Sequence, residues 1–312
     1  MILPRVIRGA VNGVPEKVRF ATESAGGSAS FIRTLSRTTR GQRFDLVICG
    51  HINLLPLTRF GARDPLLFVY GVEAWRPPRR RHITSFANVR GVASISDVTL
   101  RRFLDWSHVQ KPSFIVPNAI RAEQYGLRPR PRALAERLGV GDRRVLLSVG
   151  RLDAGERYKG FEEVMEALPA FPEAVYVVAG DGNDRERLLQ KARDLGVADR
   201  VLFTGFFAEE EKADLYALAD VYVMPSRGEG FGFVFLEAMA CGVPVIAGKH
   251  DGGREALRDG ALGIVVDPCS PAEIIAAIRE ALTRPKTIPA GLDYFAYPHF
   301  AARVHAMIDA LR

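Results

Sequence analysis

Residues 225–247 read PSRGEGFGFVFLEAMACGVPVIA, and the reading of this stretch decides the fold. Three glycines, Gly228, Gly230 and Gly232, surround Glu229. An apolar segment, FVFLEAMA, follows and carries Glu237 eight residues after Glu229. Gly242 then precedes VPVIA, a short β-branched run. The pattern is loop, helix, turn and buried strand. With a helix starting near Phe233, Glu229 lies in the loop before it and Glu237 lies just over one turn inside. Gly230, Phe231, Gly232 and Phe233 then offer unpaired backbone N–H groups at a helix N-terminus. Free donors and the helix dipole favour an anion such as phosphate there. Two carboxylates beside such a site can accept hydrogen bonds from sugar hydroxyls, which suits a sugar joined to a nucleoside diphosphate. A Gly-rich turn capped by a glutamate is the simpler alternative.

The flanking sequence alternates strand and helix. VLLSVG (145–150), AVYVVAGDG (174–182), RVLFTG (200–205), VYVMPS (221–226), VPVIAG (243–248) and LGIVV (262–266) read as strands. They are apolar throughout rather than at every second residue. Between them lie segments of helical spacing, such as Phe161, Val164, Met165 and Leu168, and RERLLQKARDLG stopped by Gly196. This predicts an α/β fold, a parallel sheet covered by helices on both faces. Such sheets bind ligands at the carboxyl ends of their strands, so the loops after 149, 179, 204, 224 and 247 are the places for chemistry.

The first half is less regular. Residues 1–43 show weak periodicity and carry SAGGSAS. FDLVICGH, LLFVYG, GVASIS and SFIVPN read as four buried strands, with LTRF, HITSFANV and DVTLRRFLDW as helix or loop between them. RAEQYGLRPRPRALAERLG (121–139) reads as a connection, and YPHFAARVHAMIDAL (297–311) as a terminal amphipathic helix. Two domains are expected, 1–136 and 137–297, followed by this helix over 298–312.

The composition agrees. At 312 residues, 47% apolar and 25% charged, the chain has the balance of an ordinary globular protein of about two domains. Cys49, Cys241 and Cys269 are too few and too scattered for a disulfide framework or a cysteine zinc site. They fit a reducing compartment, and no apolar run approaches the roughly 18 residues of a membrane span. No signal peptide is visible, so a cytoplasmic location is expected. The net charge of +7 conceals an asymmetry. Residues 1–144 hold 25 Lys and Arg against 10 Asp and Glu, whereas 145–312 hold 18 against 26. A basic first half attracts an anionic partner, such as the inner face of a membrane, or is simply a solvated face. Nucleic-acid binding is not expected, because no aromatic-interleaved basic motif accompanies the charge. A nicotinamide-dependent dehydrogenase is not expected either, since no G-x-G-x-x-G follows a strand.

The stretch PSRGEGFGFVFLEAMACGVPV resembles the E-x7-E hallmark of the family 4 (group 1) glycosyltransferases. SVGRL, YKG, VAGDG, FTGF, LYALADVYVMPS, GGREALRDG and GIVVDPCSPAEIIAAI are similar to that family in the same order, over about 145–283. The resemblance implies the GT-B fold, two Rossmann-like domains facing each other across a cleft, with the terminal helix 298–312 packing back toward the first. It implies a retaining enzyme that moves a sugar from a nucleotide-diphosphate donor to an acceptor hydroxyl, with no metal and no further cofactor. Arg151 and Lys159 would be the basic pair on the donor diphosphate. Glu229 would face the donor sugar and Glu237 would bind the ribose hydroxyls. Gly230, Phe231, Gly232 and Phe233 would approach the donor, and Gly180 and Gly205 would shape its pocket, with Phe206 and Phe207 as candidates to flank the base.

In the first half the resemblance is weaker. His51, Tyr70, Glu73 and Ser96 are the candidates on the acceptor side. Tyr70 stands where many members of the family carry a histidine. The family's opening strand, Gly-rich loop and helix have no counterpart before SAGGSAS, so a shortened first domain is expected, natural or from a misassigned start. The implied acceptor is a carbohydrate or a lipid-linked glycan, as in envelope polysaccharide assembly. A non-catalytic nucleotide-sugar-binding protein derived from such an enzyme is the second reading.

Overall fold

Two parallel sheets organise the chain, which in this computed structural model is described at residues 1–4, 16–42, 44–60, 64–78 and 86–312. Residues 82–85 of HITSFANV lie outside the described residues. The chain divides into two units. One comprises Met1–Ser94, Leu100–Ile115 and His305–Arg312, and the other Ile95–Thr99 and Val116–Val304.

In the first unit, α1 (Ser28–Thr39) starts inside SAGGSAS and buries Phe31, Thr34 and Leu35. Then come β1 (Ile48–Cys49), α2 (Leu55–Thr58), β2 (Leu66–Val69), β3 (Gly91–Ser94), α3 (Asp97–Ser107) and β4 (Ser113–Ile115). The sheet runs β1-β2-β3-β4, parallel throughout, with Ile48 opposite Leu66, Leu66 opposite Gly91 and Val92 opposite Ser113. Leu67, Val69, Val92 and Phe103 are fully buried between sheet and helices. Phe86, Phe103 and Trp106 pack edge to face, and the Trp106 indole N–H donates to the Ala74 carbonyl at 2.7 Å. All four strands expected from the sequence form. The first shrinks to two residues because β1 lies at the sheet edge, where Ile48 stays half exposed.

The second unit follows the predicted alternation. After α4 (Arg132–Arg137) come β5 (Arg144–Val149), α5 (Phe161–Ala167), β6 (Ala174–Ala179), α6 (Arg185–Asp194), β7 (Val201–Gly205) and α7 (Lys212–Leu218). The second half adds β8 (Val221–Met224), α8 (Phe233–Ala240), β9 (Val245–Gly248), α9 (Gly253–Ala256), β10 (Ile264–Val266), α10 (Pro271–Ala281) and the start of α11 (Tyr297–Asp309), whose residues from His305 on belong to the first unit. The segment 121–139, expected as a connection, contains α4, whose Leu134 and Ala135 are buried. GGREALRDG gives only the single turn of α9 and a 3-10 turn, Arg258–Gly260, broken where Asp259 adopts φ +55°. Among the described residues no helix is long and apolar enough to cross a membrane.

The strand order of this sheet is β10-β9-β8-β5-β6-β7, all parallel. Val145, Leu146, Val177, Val223 and Ile246 are fully buried, which is why these strands lack a polar face. Each such side chain is worth about 1.5–3 kcal/mol of burial. The order builds outward from β5 in both directions, so successive connections leave β5 and β8 on opposite faces. Leu146–Val221 and Leu147–Tyr222 pair β5 with β8, and the Ser148 hydroxyl donates to the Val223 carbonyl. The loops that follow the two strands lie side by side. This is the switch point at which open α/β sheets bind ligands.

Candidate functional site

The loop after β5 carries Arg151, and a 3-10 turn further on, Arg157–Lys159, carries Lys159. Its course depends on Gly180, just past β6, which adopts φ +147° and would place a Cβ 1.9 Å from the Gly150 carbonyl oxygen. Gly180 also bridges to Gly205 at the end of β7. Both glycines thus shape the backbone next to Arg151, one by contact and one through the bridge.

The structure brings Arg151 and Lys159 together, and a carboxylate absent from the expectations stands between them. Glu156 takes the Arg151 guanidinium on Oε1 and the Lys159 ammonium on Oε2, the latter at 2.5 Å. Lys159 Nζ also lies 3.4 Å from the Arg151 carbonyl oxygen. Lys159 is largely buried, at 12% side-chain exposure, whereas Arg151 is 65% exposed. The two cations therefore differ: Lys159 is fixed, and Arg151 projects into solvent from a fixed base.

The loop after β8 faces this turn. Its Arg227 N–H donates to the Tyr158 carbonyl at 2.8 Å. Gly232, at φ +87°, caps α8, which begins at Phe233 as expected. Phe231 is buried with its ring edge-on to Phe295, and the Gly230 and Phe231 backbone N–H groups, expected to be unpaired, donate to the Glu229 carboxylate. Phe233, half exposed, is the first residue of the helix.

Glu229 sits where this loop meets Lys159. Burial raises its carboxyl above the ordinary glutamate range, while the Lys159 charge and the Phe231 and Gly230 backbone pull it down. Glu237, on α8, is buried at 7% exposure with a partner on each oxygen. Its Oε1 accepts from Lys212 Nζ at 3.0 Å and its Oε2 from the Tyr216 hydroxyl at 2.7 Å. The Tyr125 ring meets Tyr216 at 6.4 Å, and burial and Glu237 push the Tyr125 hydroxyl upward. A carboxylate has about four lone-pair sites, so Glu237 keeps acceptor capacity for a ligand hydroxyl. Phe206, just past β7, is 93% exposed, while Phe207 is partly covered.

Asp251 was also missed. It follows β9 in the sequence KHDGG and has no exposed surface. Its Oδ2 accepts from the Ser226 hydroxyl and the Glu229 N–H, each at 2.7 Å, and its Oδ1 from the Gly253 N–H at 3.0 Å. The only signal in the sequence was its place in the loop after residue 247.

The acceptor-side candidates are taken up by local structure. His51 follows β1 and accepts the Asn53 N–H on Nδ1 at 3.1 Å, capping a 3-10 turn. Glu73 accepts the Tyr70 and Gly71 N–H groups at 2.6 and 3.1 Å, which closes the turn after β2. Tyr70 itself is 42% exposed and stacks on Phe68 at 5.1 Å. Ser96 is fully buried and accepts the Thr99 N–H at 3.2 Å within the first turn of α3. His51, Tyr70 and Glu73 stand together at the carboxyl ends of the adjacent strands β1 and β2.

Residues 132–290 match the family described as glycosyl transferases group 1. The chain belongs to that family. A GDP-mannose-dependent α-(1-6)-phosphatidylinositol monomannoside mannosyltransferase of Mycolicibacterium smegmatis is 34% identical over 244 residues, 73% of this chain and 63% of that one. A D-inositol 3-phosphate glycosyltransferase of Geodermatophilus obscurus is 36% identical over 217 residues, 65% of this chain and 47% of that one. The chain thus spans between about half and two thirds of the length of these relatives. Among solved structures, sucrose-phosphate synthase from Thermosynechococcus elongatus superposes with a TM-score of 0.75 at 20% identity, over 99% of this chain and 86% of that one. Anabaena HepE, solved with UDP-glucose, gives 0.75 at 21% identity, over 91% and 82%. This group 1 member has the α/β GT-B fold of those structures.

Proposed function

We propose that the chain is a retaining glycosyltransferase that moves a sugar from a nucleoside-diphosphate donor to an acceptor hydroxyl. One observation carries the reading. Arg151, Lys159 and the first turn of α8 stand on neighbouring loops where the strand order reverses. As the acceptor oxygen bonds to the anomeric carbon, the bond from that carbon to the β-phosphate oxygen breaks, negative charge collects on the leaving diphosphate, and the acceptor hydroxyl gives its proton to that diphosphate. Preorganised cations and helix-end amides oppose that charge in a partly water-excluded site, usually the largest catalytic contribution. In this reading Arg151 and Lys159 perform the task without a metal ion. The raised carboxyl of Glu229 lies beside the sugar, and Glu237 holds the ribose.

The acceptor in this proposal is a carbohydrate or lipid-linked glycan of envelope synthesis, met at the cytoplasmic face of a membrane. The basic first half and the lipid-linked substrate named for the Mycolicibacterium relative support it. The donors named for the relative and for the HepE complex, GDP-mannose and UDP-glucose, are the first to test.

A thermal-shift panel of guanosine, uridine, adenosine and thymidine diphosphates tests the donor site. A nucleotide at 100 times its dissociation constant stabilises the protein by about 2.7 kcal/mol. Slow hydrolysis of the matching nucleotide sugar without acceptor then marks an enzyme. Binding with no hydrolysis and no transfer marks a binding protein.

A further inference from the structure

We propose that Asp251 is a positioning residue of the donor site, a buried clamp that aims Glu229 and the N-terminus of α8 by holding the loop after β8 in place. The inference rests on the donor-site reading above and deepens it.

The loop 226–232 has few means of holding its own shape, since three of its seven residues are glycine. Its conformation is imposed from the neighbouring loop after β9. Asp251 Oδ2 takes the Ser226 hydroxyl at the loop's start and the Glu229 N–H at its middle. Gly252 N–H donates to the Glu229 carbonyl at 2.8 Å, so Glu229 is gripped on both sides of its Cα. Oδ1 turns back to the Gly253 N–H, which fixes the carboxylate against α9. Both Asp251 and Ser226 have no exposed surface. A buried carboxylate with three donors is held firmly, and losing it strands donors in the interior.

The surroundings explain why the clamp is sensitive to pH. Glu229, on the loop itself, and the Tyr158 hydroxyl, on the turn opposite, are the titratable groups that face Asp251 among the described residues. The neighbouring Arg254 turns to Asp259 at 2.7 Å, and Glu255 to the Asp97 and Val98 N–H groups at 2.7 and 2.8 Å, so α9 supplies no countercharge. Burial, with a smaller push from the Glu229 charge, lifts the Asp251 carboxyl to about 7. Protonation removes charge from the acceptor of the Glu229 N–H and weakens that bond. Lowering the pH through about 7 therefore loosens the clamp.

The test compares the wild type with Asp251→Asn and, as a milder second variant, Ser226→Ala. Three readouts are taken on the full chain: amide hydrogen exchange over 226–232, the dissociation constant of the stabilising nucleoside diphosphate, and kcat and KM for donor turnover against pH. Asp251→Asn is expected to speed exchange of the Glu229 amide at least tenfold and lower kcat at least tenfold. The nucleotide dissociation constant should move less than threefold. Ser226→Ala is expected to change the same quantities in the same direction by less. In the wild type, protection of that amide, corrected for intrinsic rate, should fall as pH drops through about 7, and the Asn variant should lose this dependence. Wild-type exchange and wild-type kcat in a folded Asp251→Asn protein would overturn the clamp. So would wild-type protection that ignores pH, should the variant not fold. A wild type that binds no nucleotide would overturn the donor-site reading separately, because exchange is read without substrate.

Discussion

Glu229 and Glu237 sit eight residues apart on one loop-helix unit, yet they are held in opposite ways. Glu237 is buried with a partner on each oxygen, an ammonium from Lys212 and a hydroxyl from Tyr216. Glu229 is squeezed by burial, with Lys159 as its nearest opposing charge and the like charge of Glu156 beyond. The first arrangement suits a fixed acceptor that reads hydroxyls. The second suits a charge kept under strain beside a reacting centre. The difference teaches that a motif spacing alone does not assign roles; the neighbours that tertiary packing supplies do.

The largest effect expected from that contrast lies in turnover. Glu229→Ala should lower transfer by about 100–1,000-fold, the scale on which electrostatic groups at a reacting centre act. Nucleoside diphosphate affinity in the same variant should change little, read by calorimetry. Glu237→Gln should reverse the pattern. Affinity should fall roughly 10–100-fold, the worth of charged hydrogen bonds of about 1.5–3 kcal/mol, while turnover at saturation falls less. Equal losses of affinity in both variants would erase the distinction.

Stability offers a third way to break it. A carboxyl whose folded pKa is raised binds more protons folded than unfolded over the interval between the two values. Stability then falls as pH rises through that interval, and the cost is present in full above the folded value. Glu229 is raised by burial, so Glu229→Gln should raise Tm at pH 8, with the gain fading as pH falls into the ordinary glutamate range. Such a gain with lost transfer is the trade expected of a strained site. A Tm that drops at pH 8 would show that Glu229 is structural.

The smallest effect concerns Glu156. Replacing it by Gln frees Arg151 and Lys159 from their internal partner. Because Arg151 is mostly exposed, the gain in diphosphate affinity should stay within about fivefold, the range of surface ion pairs. Weaker binding in this variant would mean that Glu156 orients the cations rather than competing for them.

The sheet of the second unit was legible because six apolar runs each end at a turn, and burial on both faces leaves no other home for them. The start of α8 at Phe233 was legible from Gly232, whose left-handed backbone blocks earlier helix. Lys212, Tyr216 and Glu156 were not legible as site residues. The first two lie on α7, remote in sequence from Glu237, and nothing local distinguishes Glu156 from the other charges around it. Nothing local marks Asp251 in KHDGG, and only the fold brings Ser226 and Glu229 onto it. In the first unit, strands of two to four residues carry little periodicity. At their tips the oxygens of Ser96 and Glu73 accept from backbone N–H groups of the local turns.

The central claim is that a diphosphate seats against Lys159, Arg151 and the N-terminus of α8. Calorimetric titration of wild type and Lys159→Ala with a nucleoside diphosphate and with the matching nucleoside tests it most directly. The account predicts at least tenfold weaker binding of the diphosphate to the variant and unchanged binding of the nucleoside. Equal diphosphate affinity in the two proteins would contradict it.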